Sequence, residues 1–161
     1  MPFPPPAVTE ADIEFLVTAY LGAVYRWARN DDWHDIRIGL PVPGLELLHP
    51  QVECFGVLSA WNPHSHPLDE ASNRRADEAL ASELAERGLA HVPAFSSSPN
   101  RSWREPGWVV FDLDTAGLDD LCRRYGQLGS LWWPRGKAVR LRMYCAKPSR
   151  MPDQPLVDWI E

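Results

Sequence analysis

Between Phe55 and Leu80 the chain reads FGVLSAWNPHSHPLDEASNRRADEAL, an apolar run that gives way to a helical stripe through a dense polar loop. Asn62 falls at the end of the apolar run, Ser65 lies in the loop, and Asn73 and Arg74 occupy the first turns of the helix. Two amides, a hydroxyl and a guanidinium where a strand ends and a helix begins could hold a small polar or anionic ligand. Free helix N–H groups and the helix dipole favour one there. Asn-Pro is also a turn former, and an inward asparagine can equally satisfy main-chain groups at such a junction.

Three further candidates lie downstream. Glu105 stands beside Pro106-Gly107 ahead of a strand, and a carboxylate partly buried by Trp103 and Trp108 could act as general acid or base, which makes it the candidate catalytic residue. Trp103 and Gln127 complete the set as ligand-binding candidates, Gln127 following the helix-ending Gly126. His64 and His66 alternate near Asp69, but a metal centre needs three or four ligands in geometry, so no metal is expected. Cys54 has no identifiable base nearby and reads as an inert core thiol. There is no glycine-rich phosphate loop, G-x-S-x-G elbow or H-E-x-x-H, so no cofactor is implied and whether the protein is an enzyme stays open.

Composition narrows the classes. At 161 residues and 45% hydrophobic, one domain over 1–161 can bury about 70% of the surface its unfolded chain exposes. A net charge of −6 argues against a general binder of nucleic-acid backbone. Three cysteines without CxxC spacing fit reduced thiols. No signal peptide and no apolar run of the ~18 residues needed to span a membrane is present, so a soluble cytoplasmic protein is expected, with no membrane partner and no implied oligomeric state.

The elements that must position these residues follow from periodicity. Residues 1–8 are a proline-rich lead-in. Thr9, with Asp12 three residues on, starts a helix whose stripe is Ile13, Leu16, Val17, Tyr20, Leu21 and Val24, ending near Gly22. Tyr25 and Trp27 open a strand, Asn30-Asp31-Asp32 turns, and Asp35 to Ile38 alternates as a second. Pro41 to Gly44 reads as a loop. Cys54 to Ala60 is apolar enough to be a central strand. Asp69 caps a helix that carries Asn73 inward and stops at Gly88. Strands from Leu89 and Trp108, a helix capped by Thr115, and a closing hairpin around Pro134-Arg135-Gly136 follow, with a proline-rich tail over 146–161 that wraps the surface or frays. The expected fold is α+β: a β-α-β-β-α-β-β core after an N-terminal helix, its mixed or largely antiparallel sheet covered by helices on one face, ferredoxin-like with added strands as one solution.

Laid out this way, the chain resembles the bacterial family known as domain of unknown function 3293. The matching residues are Ala19-Tyr20-Leu21 with Tyr25, Ile36-Arg37-Ile38-Gly39, Ala60-Trp61-Asn62-Pro63 with Ser65, Leu68 and Asn73, then Trp103-Arg104-Glu105, Tyr125-Gly126-Gln127 and the final hairpin, over roughly residues 15 to 143. Ala23, Asp69 and Ser72 depart from the pattern, where threonine, serine and an acidic residue are usual. The resemblance implies a shared fold and brings no catalytic residues with it.

Two functions compete. One is a polar pocket built by Asn62, Ser65, Asn73, Arg74, Glu105 and Gln127. The other is a non-catalytic interaction module whose last hairpin sets Arg135, Lys137, Arg140 and Arg142 beside Trp132 and Trp133, where rings interleaved with arginines could meet RNA or a protein. A solvated outer sheet face explains the hairpin's letters as well, and the acidic total favours that explanation.

Overall fold

The computed structural model of the chain describes residues 8–161, and most of the proline-rich lead-in therefore lies outside the described residues. Helix α1 (Glu10–Gly22) begins with the capping box expected from its sequence: the Thr9 side chain accepts from the Asp12 N–H, and Asp12 accepts from the Thr9 N–H. The chain then forms β1 (Val24–Arg29), β2 (Asp32–Ile36), α2 (Pro43–Leu48), β3 (Cys54–Leu58), α3 (Glu70–Glu86), β4 (His91–Ser97), β5 (Arg104–Phe111), α4 (Thr115–Arg124), β6 (Gly129–Pro134), β7 (Arg140–Met143) and β8 (Val157–Trp159).

All eight strands join one open sheet in the order β2-β1-β4-β5-β3-β6-β7-β8, antiparallel throughout except for the parallel β7–β8 pair. Inside it, β3-α3-β4-β5-α4-β6 forms a split β-α-β unit: β3 sits between β5 and β6, and each helix carries the chain over a neighbouring strand. Four further strands extend that ferredoxin-like nucleus at both edges.

Strand alternation divides the interior in two. Phe55, Val109, Phe111, Leu131, Trp133, Leu141 and Met143 pack with Val17 of α1 and Leu45 of α2. Leu58, Val110, Trp108 and Trp132 face the other way, onto Leu80 and Leu84 of α3 and Leu118 and Leu121 of α4. Helices therefore cover both faces of the sheet, not the single face expected. The extra cover is α1 together with α2, which starts within the Pro41–Gly44 stretch expected as a loop and continues past it; Pro43 sits at its first turn, where a missing N–H costs nothing.

Two more expectations change. The cap of α4 is Asp114, whose carboxylate accepts from the Gly117 N–H at 2.8 Å, so Thr115 is the first helical residue. The C-terminal tail supplies β8, stitched to β7 by Leu141 N–H to the Leu156 carbonyl at 2.9 Å and Ile160 N–H to that of Met143 at 2.8 Å. Its prolines precede the strand and leave that short donor row intact.

Candidate functional site

The β3–α3 junction is built around a residue in the left-handed region. Asn62 has φ 46° and ψ 63°, and His64 and Ser65 also have positive φ, near 59°. Asparagine tolerates this conformation better than most side chains, but a serine and a histidine there cost of order 1 kcal/mol or more each. Several bonds hold the loop in place. Asn73, 2% exposed and pointing from α3 toward the sheet, accepts from the Asn62 N–H at 2.9 Å and donates to the Asn62 side-chain oxygen at 2.8 Å. That same oxygen accepts the Leu68 N–H at 3.0 Å. From the other side, the His64 N–H donates to the Gly126 carbonyl at 2.7 Å, and the Gln127 amide donates to the carbonyls of Trp61 and Tyr125 at 3.1 and 3.3 Å.

With its oxygen fully used, the Asn62 side chain has its NH₂ left to give, and it gives it to Glu105 Oε1 at 3.0 Å. Glu105 lies within β5, which starts at Arg104, and not ahead of the strand as expected. It shares a face with Gly107 and Val109, so its carboxyl points under α1. Burial pushes its pKa above the ordinary carboxylate range, and the Asn62 hydrogen bond offsets only part of that.

Beside this carboxyl lies a half-open cavity of about 60 Å³. It exists because neighbouring strands present small residues under α1: Ser59 just past β3, Ala94 and Ser96 on β4, Gly107 on β5 and Gly129 on β6. Tyr20 and Tyr25 form the aromatic part of the wall. The Tyr25 hydroxyl donates to the Tyr20 carbonyl at 2.6 Å, the Tyr20 hydroxyl lies 3.4 Å from Ser65 Oγ, and burial raises both phenol pKa values, so both stay neutral through the physiological range. A water needs about 10–15 Å³ on this measure, so the hollow has room for roughly four.

The candidates taken from the sequence therefore separate. Glu105 and Gln127 line the cavity, Asn62 and Asn73 stand behind Glu105 and hold it, and Ser65 reaches the rim through Tyr20. Arg74 does not join them. It pairs with Glu70 at 2.6 Å in a separate crevice with Trp61 and Asp77, because it lies one position past Asn73 and turns off the inward stripe. Trp103 sits in the β4–β5 loop, tied through its N–H to Ser98 Oγ at 3.3 Å, and does not line the cavity. From the sequence, Tyr20 belongs to a helix stripe and Tyr25 to a strand, and neither spacing points to a site role. The signal that could have found them is the run of small residues at inward strand positions, which leaves a hollow for rings to roof.

Residues 58–129 match the sequence model of the family described as "Protein of unknown function (DUF3293)". This segment belongs to that family. No curated protein and no solved structure matches the chain. The DUF3293 segment runs from the last residue of β3 to the first of β6. It thus contains the whole Asn62–Asn73–Glu105–Gln127 network, whereas Tyr20 and Tyr25 are supplied from outside it. The earlier resemblance motifs at residues 19–25 and 36–39 and the last hairpin also fall outside the match.

The hairpin arginines are engaged within the fold. Arg142 forms a bidentate pair with Asp119 at 3.0 and 2.8 Å, Arg140 another with Asp158 at 2.8 and 2.9 Å, and the Arg135 guanidinium donates to the carbonyls of Glu46, His49 and Val52. Trp133 is fully buried, and Trp132 donates to the Leu113 carbonyl at 3.1 Å. Cys54 lies half-buried with its thiol donating to the Leu113 carbonyl, and burial raises its pKa. Among the described residues no group of three or more potential metal ligands converges, and no helix is long and apolar enough to cross a membrane.

Proposed function

We propose that this protein binds a small polar molecule in the hollow between α1 and the sheet, with Glu105 as the group that exchanges a proton or hydrogen bond with it. One observation carries the reading: Glu105 is a half-buried carboxyl with one oxygen gripped by Asn62, while its other oxygen has no hydrogen-bond partner among the described residues and borders the cavity. That free oxygen faces the hollow, where a polar occupant would complete its hydrogen bonding. Its pKa, raised by burial above the ordinary carboxylate value, supports a role in proton exchange, and the Asn73–Asn62 clamp supplies the fixed orientation such work requires. The interaction-module reading has weaker support, because the hairpin arginines that would serve it are already paired.

A thermal-shift screen of small polar metabolites against the parent and Ser96→Val tests this. The valine fills the hollow and leaves the carboxyl in place. A ligand present at a hundred times its Kd should stabilise the parent by about 2.7 kcal/mol and leave the variant unmoved. A screen without a hit, or hits that Ser96→Val keeps, would overturn the pocket.

A further inference from the structure

The free hydrogen-bonding capacity of the pocket is lopsided, and the imbalance specifies what it takes. Gln127 spends its NH₂ group on two main-chain carbonyls, so its unspent polar atom is the amide oxygen. The flipped amide would set that oxygen against the same two carbonyls, so the orientation is fixed. Ser59 donates its hydroxyl hydrogen to the Pro106 carbonyl at 2.8 Å and accepts from the Trp61 N–H at 2.9 Å, and the Tyr25 hydrogen is spent on Tyr20. Glu105 retains one oxygen. What remains is a carboxylate oxygen and an amide oxygen, both acceptors; on the donor side stand the Ser96 hydroxyl and whichever hydrogen Tyr20 and Ser65 do not spend on each other, while the Ser130 hydroxyl is engaged with Tyr144 at 2.7 Å.

Charge points the same way. Glu105 is the one formally charged side chain in the lining, where no arginine, lysine or histidine appears. An anion would meet a carboxylate with no cation to balance it, and the guanidinium expected to clamp it is in another crevice, so the charge pattern favours a cation over the anionic alternative raised by the sequence. Tyrosine rings in the wall add a surface that attracts cations.

Resting on the pocket reading above, we infer that the ligand enters with a small N–H-bearing cation, a primary ammonium or a guanidinium, which donates to Glu105 and to the Gln127 amide oxygen. A hollow with room for roughly four waters fits a head group of that size. The rest of such a molecule would extend through the open side.

Amide-resolved NMR titrations at pH 7 and matched ionic strength test the inference, using methylammonium chloride, guanidinium chloride, sodium acetate and sodium phosphate as probes on the parent, Glu105→Gln and Ser96→Val. The expected result is saturable shifts at Ser96, Glu105 and Gln127 with one or both cations, at least tenfold weaker in Glu105→Gln and absent in Ser96→Val, and only linear drifts with the anions. Saturation by acetate or phosphate would overturn the cation assignment and leave the pocket reading standing. Saturation by no probe of either charge would overturn both. Cation shifts that survive unchanged in Glu105→Gln would place the binding elsewhere and overturn the inference.

Discussion

Glu105 makes a pH-dependent claim on stability. Its folded-state pKa lies above the ordinary carboxylate value of 4.5, so between those two points the folded chain holds a proton that the unfolded chain has released. Stability from this group is therefore greatest below the ordinary value, falls as pH rises through the folded pKa, and stays at the lower level above it. Glu105→Gln keeps an oxygen for the Asn62 NH₂ and removes the buried charge. At pH 7 it should melt about 2–4 °C higher than the parent, the size of a 1 kcal/mol change in a chain of this length, with the gap closing near pH 4. A scanning-calorimetry series over that range checks it, and a variant that melts lower at pH 7 would mean the carboxylate is stabilised in a way the geometry does not show. At this scale the sequence was legible for Asn62, Asn73, Glu105 and Gln127, whose types demand partners wherever they are buried. It was illegible for Arg74, because one helical step of 100° separates an inward side chain from an outward one.

The clasp between the β3–α3 loop and the end of α4 is where elements meet. Gly126 has φ 68°, and a Cβ on it would stand 2.8 Å from Pro63 Cβ. Gly126→Ala would therefore meet left-handed strain of about 1–2 kcal/mol and a collision as well. We expect a loss of about 2–3 kcal/mol in denaturant unfolding, with faster amide exchange at His64, whose N–H donates to the Gly126 carbonyl. Loss of stability without faster exchange at His64 would mean that the clasp stays shut. The elements themselves were largely readable, since capping boxes, glycine stops and apolar alternation are local signals: α1, α3, β3 and the hairpin sit where those signals place them. Helix α2 and strand β8 were not, because six residues opening on proline and a three-residue strand owe their existence to neighbours distant in sequence.

Across the whole molecule, the sheet stands between the two cores, and polar ties cross from helix to strand inside the fold: Tyr25 of β1 to Tyr20 of α1, Trp108 of β5 to Asp77 of α3, and a charged one. Arg142 of β7 reaches Asp119 of α4, whose side chains are 13% and 11% exposed. Asp119→Asn leaves a buried guanidinium without its counter-charge and should cost about 3–5 kcal/mol, whereas the double change Asp119→Leu with Arg142→Met should return close to the parent. Urea unfolding of the two variants checks this, and an equal loss in both would show that packing, not charge, sets the cost. The strand order was beyond sequence reach for a physical reason: alternation says which side of a strand is buried but not which strand lies beside it. Only β3, apolar on both faces, announced its central place.

Strand β8 covers the border of β7, and the stretch leading to it contains Pro148, Pro152 and Pro155 in a largely irregular run. A protease that nicked this run could let β8 come away and uncover a row of main-chain donors and acceptors along β7. Such a clipped molecule would keep its pocket, its clasp and most of both cores, yet carry an adhesive margin that could recruit further clipped copies. The damage would then appear first as clumping in a preparation, before any loss of ligand.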